Sequence, residues 1–234
     1  MQLKFAAIVV AAGRGSRFGQ PKQFILLAGK PMVAWSLQTF AAFDDLGSIV
    51  VATERDWIER MRSLLESIGP RCPWSVVAGG ASRQESVGKA LAAVPDRCNA
   101  VLIHDGARPL VRGDDVRAGM AAISPGRAAV LAAQMVDTIK EADARGTFVK
   151  RTLRRERLWA AQTPQFAMKE DLIRAHDLAQ RDGFDATDDA ALLEHAGVKI
   201  ALITSSIDNF KVTTPDDAER ADAMLQRRLH PGRR

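Results

Sequence analysis

Four short segments carry residue types suited to phosphate chemistry. The first is Ala11-Ala12-Gly13-Arg14-Gly15-Ser16-Arg17-Phe18-Gly19-Gln20-Pro21-Lys22-Gln23, directly after an apolar run. A glycine-rich turn after a strand lets backbone N–H groups approach phosphates closely. Its glycines fall as G-x-G-x-x-x-G, one position late for the dinucleotide fingerprint. Neither Gly29-Lys30 nor Gly88-Lys89 is followed by the Ser or Thr of an ATP-type phosphate loop. The segment adds Arg17 and Lys22 instead. Two cations beside such a turn suit a triphosphate, where charge grows on a departing pyrophosphate. The same residues also make an ordinary strand-to-helix turn with solvated cations, and the turn alone does not separate the two.

The second segment, His104-Asp105-Gly106-Ala107-Arg108-Pro109, ends another apolar run. Ligands of open α/β sheets bind beyond the carboxyl ends of the strands. Asp105 there is either a Mg²⁺ ligand beside a phosphate loop or a cap for local backbone N–H groups. His104 reads as structural, because His176, His195 and His230 fall at no metal-ligand spacing from it. In the third segment, Asp208-Asn209-Phe210-Lys211-Val212-Thr213, Lys211 either enters a cleft or protects an edge strand from aggregation. The fourth, Gly79-Gly80-Ala81-Ser82-Arg83-Gln84-Glu85-Ser86, is a glycine turn opening a helix. Its free backbone groups could read the polar edge of a base, or it is simply a capped helix.

These segments require a frame of alternating strands and helices. Residues 4–10, 48–52, 74–78, 100–103 and 128–133 are short apolar runs of strand type. Residues 31–43, 54–65, 82–94 and 114–123 have apolar residues at helical spacing. Pro31 opens the first of these helices, and Ser82 with Glu85 forms a capping-box signature. Short apolar strands separated by helices imply βαβ units and a mainly parallel sheet. The rhythm changes after Met135. Residues 136–140 and 147–151 predict two strands around the turn 143–146, polar on both faces, a β-hairpin that leaves the main body. Helices then follow at 168–180 and 187–195, strands at 199–204 and 209–212, and a closing helix at 215–229. The expected fold is a single Rossmann-like three-layer α/β domain over residues 1–234, with a protruding arm at about 136–158.

Composition narrows the class. The 234 residues are 47% hydrophobic and 26% charged, the balance of a globular domain with one sizeable core. No apolar run approaches membrane-spanning length, and the run at 5–12 leads into glycine and arginine rather than a cleavage site. Cys72 and Cys98 are too few for a disulfide scaffold or a four-cysteine zinc site. A cytoplasmic protein is expected. The net charge is +5, but residues 150–157 and 227–234 each carry +4, so the remainder is slightly acidic at −3. There is no Tyr, and aromatic platforms interleaved with basic residues are missing. Neither nucleic acid nor a membrane is an expected partner. No two aspartates stand two apart, which argues against a D-x-D glycosyltransferase.

Taken in order, AAGxGxR…PKQF, GGASRQESV, HDGARPLV, DTIK, LWAAQTPQF, TDDA and DNFKVT resemble the 2-C-methyl-D-erythritol 4-phosphate cytidylyltransferase family, from Ala11 to Thr213. The resemblance implies transfer of CMP from CTP to methylerythritol phosphate with release of pyrophosphate, in non-mevalonate isoprenoid synthesis. It implies Arg17, Lys22 and Lys211 as the catalytic cations. Asp105, and with it Asp208, would be associated with Mg²⁺. Ala11, Ala12, Gly13, Gly15, Gly80, Ala81, Arg83 and Ser86 match the nucleotide-binding positions. Some relatives carry Asp where this chain has Ala81, so only a backbone contact would survive there. Thr163, Thr187 and Asp188 match residues lining the acceptor site. Thr138 and Arg155 match residues of an arm that, in the family, reaches over a two-fold partner, making a homodimer. Several arginines at 154–157 could supply that phosphate contact. The alternatives are a sister enzyme for another polyol phosphate, such as ribitol 5-phosphate, or a non-catalytic nucleotide-binding module.

Overall fold

The structure is a computed structural model that describes residues 2–13 and 21–230. In chain order the strands are β1 (Phe5–Ala11), β2 (Leu26–Leu27), β3 (Lys30–Pro31), β4 (Leu46–Thr53), β5 (Trp74–Ala78), β6 (Ala100–Asp105), β7 (Arg127–Gln134), β8 (Lys140–Ala142), β9 (Val149–Thr152), β10 (Trp159–Met168) and β11 (Lys199–Thr204). The α-helices are α1 (Met32–Ala41), α2 (Ile58–Ile68), α3 (Arg83–Ala92), α4 (Gly113–Ala121), α5 (Lys169–Asp182), α6 (Asp189–His195) and α7 (Pro215–Leu229). Among the described residues, seven strands form the main sheet in the order β11-β7-β10-β6-β1-β4-β5. The pairs β1–β4, β1–β6, β4–β5 and β11–β7 are parallel, and only β10 runs against its neighbours.

Alternation along β1 builds two cores. Phe5, Ala7 and Val9 pack on one face with Leu37 and Phe40 of α1 and Met61 and Leu65 of α2. Ala6 and Ile8 pack on the other with Val87 of α3, Leu172 of α5 and Leu192 of α6. Successive side chains of a strand point to opposite faces, so a strand apolar at every position must be covered twice. This is the expected three-layer α/β arrangement. Helices α2 and α5 both end on a glycine with φ of +63°, Gly69 and Gly183, the left-handed cap that glycine adopts without a Cβ penalty.

Four local expectations change. Strand β10 is absent from the sequence reading because Gln162, Thr163, Pro164 and Gln165 look wrong for a central strand. The pairing of β10 with β7 breaks between Ala161 and Gln165, and the proline falls inside that break. Residues 209–212 form no strand. Asn209 N–H donates to the Ser206 carbonyl and Val212 N–H to the Ala107 carbonyl, so the segment is a looped strap. The hairpin pairs Lys140 with Thr152 and Glu141 with Arg151, so its first strand starts at the end of the expected span 136–140. At α3 only half of the capping box forms. Ser82 Oγ accepts from Glu85 N–H, while the Glu85 carboxylate accepts from Ala81 N–H at 2.7 Å.

Candidate functional site

Sheet order reverses direction at β1, with β4 and β5 laid down on one side and β6 on the other. A crevice opens at the carboxyl ends of the strands flanking such a switch point. The structure has a cavity of about 800 Å³ there, walled by residues 10–13 after β1, the turn 79–83 with Ser86, residues 105–107 after β6, and Lys22, Gln23 and Lys211. The backbone at its rim is closely packed. A Cβ placed on Gly79 would come within 2.5 Å of the Ala12 Cβ. Ser86 Oγ accepts from Gly80 N–H at 2.9 Å and donates to the Ser82 carbonyl at 2.8 Å, fixing the glycine turn on the first turn of α3.

Asp105 organises the floor. Its Oδ1 is 3.1 Å from Arg83 Nε, and its Oδ2 is 2.9 Å from Lys211 Nζ and 3.7 Å from Arg108 Nε. Arg83 also holds the buried Asp189 at 2.7 Å through Nη2. Burial pushes the Asp105 carboxyl upward, but the Arg83 and Lys211 charges outweigh it and hold the group well below the usual carboxylate range. Burial likewise works against the Arg83 charge, and Asp189 and Asp105 more than restore it, raising its pKa. Arg108 is pulled below its ordinary value by burial. The floor is therefore a fixed charge lattice at ordinary pH.

A second layer holds Asp105 in place. His104 is fully buried, and desolvation lowers its pKa to about 4. Its Nε2 donates to the Arg108 carbonyl (3.1 Å), since a carbonyl only accepts. Nδ1 is then left to accept from the Thr163 hydroxyl (3.0 Å). That hydroxyl in turn accepts from Asp105 N–H at 3.0 Å.

The expected nucleotide residues Ala11, Ala12, Gly13, Gly80, Ala81, Arg83 and Ser86 all line the cavity, as do Lys22, Asp105 and Lys211. Arg17 and Gly15 lie outside the described residues, as does the last half of the arginine-rich end, residues 231–234. Lys22 opens a short 3-10 turn, Lys22–Phe24, and its Cε would sit 3.7 Å from a Cβ on Gly13. The acceptor set is more scattered. Thr163 lies beneath Asp105 with its hydroxyl engaged on both sides. Asp188 caps α6, accepting from Ala191 N–H at 2.9 Å and from Gln165 Nε2 at 2.8 Å. Thr187 is exposed just before it. Thr138 and Arg155 are exposed beside the hairpin, where Arg155 Nη1 donates to the Val136 carbonyl at 2.8 Å. Asp208 is not part of the cavity wall, and its Oδ1 faces Arg220 at 3.8 Å.

Three residues escaped the sequence reading. Asp189 is the second acid of Thr187-Asp188-Asp189-Ala190, and only one of two adjacent acids can cap a helix, which was the available signal. Gln23 forms part of the wall with both side-chain polar atoms buried and unpartnered. Asn209 is 1% exposed within the strap that carries Lys211. Among the described residues no three His, Cys, Asp or Glu side chains converge. The donor set fits a divalent cation held mainly by phosphate oxygens, with Asp105 as the carboxylate nearest Lys211.

The sequence matches the 2-C-methyl-D-erythritol 4-phosphate cytidylyltransferase family over residues 5–227. It is 40% identical over 229 residues to the 2-C-methyl-D-erythritol 4-phosphate cytidylyltransferase of Pelotomaculum thermopropionicum, covering 96% of this chain and 95% of that one. Among solved structures, the 4-diphosphocytidyl-2C-methyl-D-erythritol synthase of Anaerococcus prevotii superposes with a TM-score of 0.86 at 26% identity, covering 96% of this chain and 99% of the other. The 2-C-methyl-D-erythritol 4-phosphate cytidylyltransferase of Thermus thermophilus superposes with a TM-score of 0.75 at 31% identity, covering 97% and 100%.

Proposed function

The chain belongs to the 2-C-methyl-D-erythritol 4-phosphate cytidylyltransferase family, and we propose from that premise how its cleft performs the transfer. The protein is a nucleotidyltransferase of isoprenoid biosynthesis. It moves CMP from CTP to 2-C-methyl-D-erythritol 4-phosphate, giving 4-diphosphocytidyl-2-C-methyl-D-erythritol and pyrophosphate. The observation that carries the assignment of roles is the convergence of Lys22, Arg83 and Lys211 on one cavity at the sheet switch point, around the anchored Asp105.

A phosphate oxygen of the acceptor attacks the α-phosphorus of CTP in line. The bond from that phosphorus to the α,β-bridging oxygen breaks, and its electron pair leaves with pyrophosphate. No covalent enzyme intermediate is required, so positioning and charge stabilisation carry the catalysis. Lys22 and Arg17 meet the triphosphate and the growing charge of the leaving group. Lys211 is held 2.9 Å from Asp105 and meets the α-phosphate. Its partner is rigid, so the ammonium needs little reorganisation as the transition state forms. Residues 11–13 and 80–81 offer backbone groups to the nucleotide, with Gly15, Arg83 and Ser86 completing that side. A bound Mg²⁺ would supply neutralisation of phosphate charge, with Asp105 the residue to face it and Asp208 at greater remove.

The acceptor lies on the side of Thr163, Thr187 and Asp188. The hairpin serves as an arm across a two-fold partner, delivering Thr138 and Arg155 to the partner's acceptor. Supporting this, Val136, Phe148 and Val149 are 64%, 72% and 62% exposed, an apolar surface that association would cover. No helix of the described residues is long and apolar enough to cross a membrane, and a cytoplasmic site of action is part of the proposal.

The test is pyrophosphate release with CTP and each acceptor. Turnover with methylerythritol phosphate and little with ribitol 5-phosphate is expected. Equal turnover with ribitol 5-phosphate would overturn the acceptor assignment, and CTP binding without turnover would leave a nucleotide-binding module.

A further inference from the structure

Lys211 sits on a strap without regular secondary structure, and the buried amide of Asn209 ties that strap to the frame. Asn209 Nδ2 donates to the Thr163 carbonyl at 2.8 Å and to Gln162 Oε1 at 3.1 Å, bridging to the broken part of β10. The Asn209 carbonyl accepts from Arg108 Nη1 at 2.8 Å. Gln162 Nε2 donates to the Ser206 carbonyl at 3.1 Å, closing the ring at the start of the same strap. Thr163 and Arg108 are the residues that hold Asp105 and His104, so one amide ties the lysine's backbone to the frame that fixes its carboxylate partner.

The consequence is geometric. Only Phe210 separates Asn209 from Lys211, and Val212 N–H is bonded to the Ala107 carbonyl, so the lysine is suspended between two anchors. The backbone anchor at Val212 survives any side-chain change. The anchor at Asn209 does not. An aspartate of the same shape would place an acceptor where two acceptors already face it, whereas the asparagine amide gives both of its protons. The neighbouring Asp208 has no comparable tie, since its closest cation is 3.8 Å away on α7.

We propose that Asn209 is a positioning residue for nucleotidyl transfer, acting through Lys211. The inference rests on the role given to Lys211 above. Misplacing a catalytic group by about an ångström can cost on the order of 10²-fold in rate. Asn209→Ala is therefore expected to lower kcat by about 10- to 100-fold, with the KM for CTP changed much less. Asn209→Asp is expected to lower kcat at least as far, although its volume is unchanged.

The decisive measurement is a double-variant cycle on folded protein. Circular dichroism and the CTP-induced shift of the thermal midpoint establish that each variant folds and binds nucleotide. Lys211→Ala alone should lose turnover, and adding Asn209→Ala to it should cost little more. If the two losses multiply, Asn209 does not act through Lys211 and the proposal is overturned. It is also overturned if either Asn209 variant keeps wild-type kcat, or if the loss merely tracks the unfolded fraction. Wild-type turnover in Lys211→Ala would instead sink the role of the lysine itself, and with it the proposal.

Discussion

The buried His104 makes a quantitative prediction about acid stability. In the folded protein its pKa lies at about 4 because burial disfavours the charged ring and outweighs the opposing pull of Asp105. In the unfolded chain it returns to about 6.5. The folded value is depressed, so the stabilisation is complete above pH 6.5 and is lost as pH falls through 6.5 toward 4, where the unfolded state binds the proton first. Proton linkage with these two values gives a loss of about 1.4 kcal/mol at pH 5.5 and about 2.6 kcal/mol at pH 4.5, relative to pH 8. The assay is urea unfolding of wild type and His104→Asn between pH 8 and 4.5. His176, whose pKa is also lowered by burial, is present in both proteins and cancels in the difference. The variant is expected to be less stable at pH 8, because Thr163 and the Arg108 carbonyl lose partners, and the gap should narrow as pH falls. A gap that stays constant from pH 8 to 4.5 would refute the neutral, sealed histidine.

Three other outcomes are expected. Lys22→Ala should cost about 10²–10³-fold in turnover by loss of preorganised charge while the thermal midpoint is retained, and near-normal turnover would count against its role. Arg83→Met leaves Asp189 and one side of Asp105 buried without a counter-charge, so denaturant unfolding should show a loss of about 3–5 kcal/mol. Arg155→Ala should raise the acceptor KM with kcat for CTP chemistry little changed, and mixing it with Lys22→Ala should restore activity in heterodimers if the arm serves the partner's site.

The frame was readable where burial imposes periodicity. Strand β1, apolar on both faces, announces a sheet covered twice, and the run at 74–78 coincides with β5 because it ends in two glycines. Reading failed where polar side chains are buried for positioning. Gln162, Thr163 and Gln165 are each 5% exposed or less, yet they resemble a loop, because their partners are far along the chain. The cavity's nucleotide wall was legible because glycine turns and cations are local signals. The role of Thr163 was not, since its hydroxyl is paired with His104 and Asp105, nearly sixty residues away. Its hydroxyl, placed between those two, supports the floor.

The charge distribution takes on a different meaning once the contacts are known. A chain of net +5 invites an electrostatic account of polyanion binding, but field strength at a site depends on nearby charges and on how dry the site is, not on the total. In the hairpin, Lys150 and Arg151 both close on Glu141, at 2.8 and 2.5 Å, so part of the most basic segment is locally neutralised and exposed to screening. At the cavity floor, among the described residues, Arg83, Arg108 and Lys211 gather around Asp105 and Asp189, with Lys22, Glu54, Arg55 and Asp56 on the same wall. That cluster of cations is half-buried, is held by a histidine-backed carboxylate, and opens onto a cavity of nucleotide size. A small polyphosphate in the cavity would meet Lys22, Arg83 and Lys211 at once.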